Sequence, residues 1–201
     1  MKIPIPTKID TRKELEVYLL QYALKAHGFS PKGLDGIMGI NTETAFNNAL
    51  IAHMKVESRR GVPAYLQYAQ QHIGIKEVPG EKSNKTILAW IKSFFSWASD
   101  DGEIAWCAIF INKMLERAGM EGTGKANAKS FLDWGRQVYT PYKGDIVVFH
   151  RGDPKSWKGH VGIYIGQAGP GMIYCLGGNQ SNGVNIRKYS ESKIVEYRRS
   201  K

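Results

Sequence analysis

The sequence predicts an α+β protein in which a small all-helical N-terminal domain precedes a larger domain of helices followed by an antiparallel sheet. Three observations carry this prediction. Up to Ala118 the apolar residues recur at three- and four-residue spacing, the period of an amphipathic helix. From Gly144 onward the period drops to two, in short β-branched and aromatic runs bounded by Gly, Asn, Ser or Pro, as in a meander of half-buried strands. Between the first two helical patterns and the rest stands "ESRRGVP", charged and containing Gly and Pro, which suits a linker. The resulting boundaries are a domain over 1–56, a linker over 57–63 and a second domain over 64–201; helices before strands in the second define its class.

The first helix is expected over Asp10 to Phe29, with Leu15, Tyr18, Leu19, Tyr22, Ala23 and Ala26 on one stripe and Gly28 as its stop. In the loop "SPKGLDGIMGINTET", Gly33, Gly36 and Gly39 supply flexible or positive-φ positions, and Asn41 or Thr42 can cap a second helix through about Lys55. Ala64 to Gly74, Lys85 to Phe95 and Trp106 to Ala118 are the helices of the larger domain, the last closed by Gly119. Its strands are read from "DIVVF", "HVGIYIG", "MIYCL", "GVNIRKY" and "IVEYRR".

Composition narrows the partners. With 28 Lys and Arg against 18 Asp and Glu, the net charge of +10 predicts attraction to a polyanion. The basic residues are dispersed, which favours a general field over a nucleic-acid groove. No apolar run approaches the roughly 18 residues of a membrane span, and Met1 to Asp10 has no signal-peptide core. Synthesis in the cytoplasm without a Sec-type address is therefore expected. Cys107 and Cys175 lie in different kinds of segment, and two cysteines are too few for a disulfide framework, so both are expected reduced.

Cys107 carries the chemical question. It shares a helical stripe with Phe110, Ile111, Met114, Leu115 and Ala118, which suits a buried small apolar residue. It also stands in the first turn of its helix, where unpaired N–H groups and the helix dipole stabilise a thiolate and face a developing oxyanion. A thiolate nucleophile needs an imidazole, and only His150 and His160 fall in the sheet half. His160 opens the strand "HVGIYIG", in which Val161, Ile163 and Ile165 take the face expected to be core and His160, Gly162 and Tyr164 the other. His150 ends the preceding strand and is the competitor. The imidazole needs a polar partner to fix its tautomer, and Asn179 or Gln180 of "LGGNQ" is placed to supply it. Cys175, inside an apolar strand, reads as packing.

A zinc site is disfavoured: there is no C-x-x-C, no H-E-x-x-H and no close His pair. Asp100, Asp101 and Glu103 are the residues that a hard cation would use, although acids at a helix start are also explained by its dipole.

Together "GIKEVPGEKSN", "AWCAIFINKMLERAG", "GDIVVFHRG", "GHVGIYIG" and "LGGNQ" resemble the papain-like peptidoglycan hydrolases of the NlpC and CHAP type, especially their phage branch, over about Pro63 to Arg199. The resemblance implies Cys107 as nucleophile, His160 as general base and acid, and Asn179 as orienting group, with Trp106 beside the substrate. CHAP enzymes often carry a Glu two positions before that Asn; this chain has Gly177, which leaves Gln180 or a backbone carbonyl open for the third role. About residues 9 to 55 resemble the three-helix peptidoglycan-binding domain, through Leu20-Gln21, Leu24, Gly28, Asp35-Gly36, Gly39, Thr42 and Ala45-Phe46. That implies wall contacts at Asp35, Gly36 and Thr42. The whole implies an endolysin-like monomer that cuts an amide bond in bacterial peptidoglycan, without cofactor, after release by a holin or a secretion machine. Pairing with His160 is expected to bring the thiol well below its ordinary ~8.5. A wall-binding or virion protein without turnover and a thiol acyltransferase are the rival classes.

Overall fold

The structure, a computed structural model, describes residues 11–58, 61–78, 83–102 and 104–201. The chain divides into two compact units, Met1–Arg60 and Gly61–Lys201.

The first unit contains helices α1 (Arg12–Ala26) and α2 (Ile40–Ser58). Thr11 starts α1 through a capping box: its hydroxyl accepts from the Glu14 N–H, and the Glu14 carboxylate accepts from the Thr11 N–H, which satisfies two donors the helix cannot use itself. Gly28, at φ 81, turns the chain out of the helix. The third helix implied by the resemblance is not found among the described residues. Helix α2 also runs to Ser58, past Lys55 and into the expected linker.

The second unit opens with α3 (Ala64–Gln71), α4 (Lys85–Lys92) and α5 (Cys107–Arg117). Asn84 caps α4 through its side chain, accepting from Thr86 and Ile87 N–H groups. Helix α5 is central: Cys107 through Asn112, Met114 and Leu115 are all buried. It is enclosed around its first turns instead of presenting one stripe, because Trp90 lies against Phe110, with ring centroids 5.5 Å apart, on one side, while the helix packs on the sheet on another. A 3-10 turn (Ala128–Asp133) and β1 (Arg136–Val138) follow, neither of which the sequence patterns indicate.

The remaining strands are β2 (Ile146–His150), β3 (Gly159–Gln167), β4 (Met172–Gly177), β5 (Asn185–Ser190) and β6 (Ile194–Arg199). They form one antiparallel sheet in the order β1-β6-β2-β3-β4-β5. The expected meander holds from β2 to β5, whereas β6 returns to the far side of β2. Both faces of the sheet are covered. Toward α5, a Cβ at Gly178 would sit 2.5 Å from the Trp106 ring and 2.7 Å from the Phe110 Cβ. On the other face Val147, Phe149, Tyr164, Ile173 and Cys175 form a second core, closed by Tyr189, Ile194 and Tyr197. Gly162 belongs to this face, and the room beside it is already filled: a Cβ there would lie 2.3 Å from the Cys175 sulfur.

One ion pair locks β6 to the start of β2. Asp145 accepts from Arg199 Nε and Nη2, both at 2.7 Å, and from the Tyr142 N–H at 2.7 Å, while the Arg199 guanidinium lies 4.4 Å above the Tyr142 ring. Asp145 is 3% exposed. Removing Asp145 loses its charge-assisted bonds and leaves a part-exposed Arg199, a loss of about 1.5–3 kcal/mol. Asp145→Ala is accordingly expected to lower the urea midpoint by that equivalent at unchanged m-value; a loss below about 1 kcal/mol would show that the pair does not anchor β6.

Candidate active site

Cys107 is the first residue of α5, and its N-cap, Trp106, provides no side-chain cap. The first-turn N–H groups are therefore not occupied by a capping side chain. Those of Cys107 and Ala108 act on the sulfur, together with the Val161 N–H from β3. Cys107 thus lies at the residue next to His160, which joins a helix tip to a strand 53 positions further along the chain.

His160 is 1% exposed and stacked in a group of rings: its centroid is 5.3 Å from Tyr189 at 14° and 5.9 Å from Phe149 at 26°, and Tyr189 and Phe149 are 4.6 Å apart. These contacts fix the plane of the imidazole. Its tautomer follows from a hydrogen-bond chain. Asn185 Nδ2 donates to the Gln180 carbonyl at 2.6 Å, and the Gln180 side-chain NH2 donates to the Asn185 carbonyl at 2.6 Å and to Asn185 Oδ1 at 3.1 Å. With its nitrogen committed to acceptors, Gln180 can offer only Oε1 to the ring, 3.1 Å from His160 Nε2. Nε2 is consequently the protonated nitrogen and Nδ1 keeps the lone pair. Nδ1 is buried and has no hydrogen-bond partner among the described residues, so its lone pair is unused in this structure.

Of the two amides considered for this role, Gln180 meets the ring. Asn179 adopts φ 55 and is part-exposed, while Gln180 is buried. Gly177 makes this possible, since a Cβ there would stand 3.0 Å from Gln180 Oε1 and 3.3 Å from His160 Nε2.

Burial dominates the electrostatics. It raises the thiol of Cys107, against the opposing pull of the Val161 N–H, the Arg151 charge and the first-turn N–H groups. It also depresses His160 to about 4, against the Gln180 hydrogen bond, with Arg151 adding to the depression. Each group is pushed toward its neutral form. The expectation of a thiol held well below its ordinary value by His160 finds no support here, since burial pushes the Cys107 thiol up.

Other expected site residues have structural work. Trp106 is fully buried and donates from Nε1 to Glu77 Oε1 at 2.7 Å, so it supports the helix tip and does not line a substrate surface. His150 is a loop staple, with Nδ1 2.9 Å from the Gly152 carbonyl. Cys175 is packed at 0% exposure. Asp101 accepts from the Asn84 N–H at 2.7 Å and so ties two loops, and Glu103 lies outside the described residues. Among the described residues no three His, Cys, Asp or Glu side chains converge as a metal site. In the first unit, Gln21 gathers the expected wall contacts into a clamp. Its Nε2 donates to Asp35 Oδ1, the Ile37 carbonyl and Thr42 Oγ1, and its Oε1 accepts from the Asp35 and Gly36 N–H groups, all within 3.0 Å. Gly36 and Thr42 are buried by this and the Asp35 carboxylate is held low, first by Gln21. The large apolar side chains this loop exposes are Ile37, Met38 and Ile40, and Asp35 is exposed beside them.

Residues 99–179 match the CHAP domain. The match contains Cys107 and His160 and ends one residue before Gln180. It implies peptidoglycan-hydrolase-type cysteine chemistry, amidase or peptidase in general terms, for the CHAP segment. No curated protein matches the chain. A solved structure from Staphylococcus aureus subsp. aureus Mu50, described as similar to a lipoprotein of the NLP/P60 family, is 16% identical with a TM-score of 0.42, covering 69% of this chain and 41% of that one. The present chain thus spans about two fifths of that protein.

The imidazole makes a pH prediction. A histidine kept neutral to about 4 in the fold but titrating near 6.5 when unfolded lets the unfolded state bind more protons between those values, so stability falls as pH drops through that window. The contribution is of order 3 kcal/mol. Unfolding at pH 7 and pH 4 is expected to show a loss that shrinks markedly in His160→Gln; an identical pH dependence in both proteins would refute the buried neutral imidazole.

Proposed function

We propose that the protein is an endolysin-like hydrolase that cleaves an amide bond of peptidoglycan by thiol catalysis, with Cys107 as nucleophile, His160 as base and acid, and Gln180 as positioning residue. The observation that carries this reading is the buried His160, locked by Gln180 with an unpartnered Nδ1, beside a strand N–H that faces the Cys107 sulfur. The Cys107 proton passes to Nδ1 as the sulfur attacks the scissile carbonyl. The carbonyl oxygen becomes an oxyanion at the uncapped first turn of α5, where N–H groups stabilise it without reorganising. Protonated Nδ1 then gives its proton to the leaving amine, and a thioester remains. Water attacks that thioester, returning a proton through His160 to the sulfur and releasing a carboxylate.

Because the resting pair is neutral, proton transfer accompanies attack, and the base form of His160 is available above about pH 4. The reading includes the first unit as a wall anchor, and a net charge of +10 favours an anionic envelope. No helix among the described residues is long and apolar enough to cross a membrane; the reading has the protein made in the cytoplasm and reaching the wall by a holin or a secretion machine. N-acetylmuramoyl-L-alanine amidase and stem-peptide endopeptidase are the two bonds in question, and mass analysis of digested muropeptides distinguishes them by the new terminus.

Cys107→Ala and His160→Ala are expected to abolish release of muropeptides from purified sacculi while keeping the wild-type circular dichroism and cooperative melt; turnover by Cys107→Ala would end the nucleophile assignment. Gln180→Ala is expected to cut kcat about 100-fold or more with little change in KM, since an imidazole free to take the wrong tautomer loses its base. Equal activity in that variant would remove Gln180 from the mechanism.

A further inference from the structure

At the opposite end of α5 from Cys107, the second unit carries a groove of about 460 Å³ between α3, α4 and α5, lined by His72, Thr86, Trp90, Lys113, Met114, Glu116 and Arg117. That volume lies in the range of small-molecule sites. Its floor is apolar: Trp90 and Met114 are largely covered, and the His72 ring stands edge-on to Trp90 at 5.0 Å and 87°. Its polar groups come from three elements and are donors or an imidazole, apart from one acid, Glu116. His72 ends α3, Thr86 is in the first turn of α4, and Lys113 and Arg117 are on α5.

Arg117 is the informative residue. Its guanidinium lies 4.8 Å above the Tyr68 ring, which fixes its plane, and Nη1 is 3.5 Å from His72 Nε2. No carboxylate pairs with it among the described residues, because the nearby acid, Glu116, is bonded to Lys113. The guanidinium is exposed at the rim of the groove, stacked on one ring and set beside a neutral imidazole, with no carboxylate on it, so its planar fork can receive an anion. Burial and the Arg117 charge both hold His72 below its ordinary value, so it is neutral while the groove is empty and Nε2 accepts from Arg117.

We propose that this groove binds a phosphate monoester of a sugar or polyol, with Arg117 as the anchoring charge, the Thr86 hydroxyl and the Lys113 N–H groups not used by Glu116 as further donors, and the carbon body against Trp90. Donors that arrive from three elements approach from different directions, which suits the four oxygens of a tetrahedral phosphate better than the planar fork of a carboxylate. When the phosphate takes the Arg117 donors, His72 Nε2 is released to pick up a solvent proton and becomes an additional cationic donor. The site uses neither Cys107 nor His160, so it stands or falls independently of the hydrolase reading.

The test is an NMR titration of the full chain, following the His72 ring resonances, with inorganic phosphate, with glycerol 1-phosphate, and with sodium chloride at matched ionic strength. Both phosphates are expected to give saturable shifts in the low-millimolar range or tighter and to move the His72 midpoint upward, with chloride producing neither. Arg117→Gln is expected to weaken phosphate binding tenfold or more, and Thr86→Val to weaken it less while leaving the free-state spectrum otherwise intact. Shifts that do not saturate, or that chloride reproduces, overturn the site. Unchanged affinity in Arg117→Gln overturns its anchor, and binding of inorganic phosphate without glycerol 1-phosphate overturns the ester.

Discussion

An imidazole cannot serve as a base unless something decides which of its nitrogens carries the proton. Here the decision is made twenty residues downstream of the ring. Asn185 holds Gln180 by its carbonyl and by its side-chain NH2, which leaves Gln180 one acceptor to present and His160 one way to answer it. Stacking against Tyr189 and Phe149 holds the ring plane, and enclosure keeps the ring uncharged. The sheet order serves the same end: β3 bears His160, β4 leads into the Gln180 turn, and β5 bears Asn185, so three neighbouring strands carry the whole chain of bonds.

An amide against His160 Nε2 has an electrostatic meaning that a carboxylate would not. A carboxylate beside Nε2 would favour the imidazolium and draw the thiol toward an ion pair. Gln180 orients the ring without adding charge, and burial pushes both His160 and Cys107 toward their neutral forms. The space for this arrangement comes from Gly177, where a side chain would meet both the Gln180 oxygen and His160 Nε2. Gly177 and Gln180 are therefore best understood as a pair.

Much of the fold was legible because its elements are punctuated. Five strands announce themselves as β-branched or aromatic runs between turn residues, and α5 as an apolar segment ending at Gly119. What was not legible is pairing: period 2 identifies "IVEYRR" as a strand but cannot say that it crosses back to β2, and β1 at three residues is too short to show a period. The same limit governs the site. Cys107 and His160 stand out by residue type and position, whereas the choice between Asn179 and Gln180 depends on a positive φ at Asn179 that changes which amide faces the ring. The burial of Trp106 was hidden too: next to Cys107 in sequence, it lies in the core with its indole turned toward Glu77. The internal bonds of the Asp35–Thr42 loop were equally hidden, since a polar loop pattern does not reveal that Gln21 gathers Asp35, Gly36 and Thr42 from within.

The return of β6 sets a condition on synthesis. Strands β2 to β5 can pair as soon as they emerge, each with the strand made just before it, but the outer edge of β2 has no mate until residues 194–199 arrive. Until then a buried-type strand, Ile146–His150, offers open backbone groups to any other nascent chain, and Asp145 waits without its guanidinium. The last strand of the sheet thus closes its inner edge, completing the pairing of β2 and the Asp145 ion pair in one step.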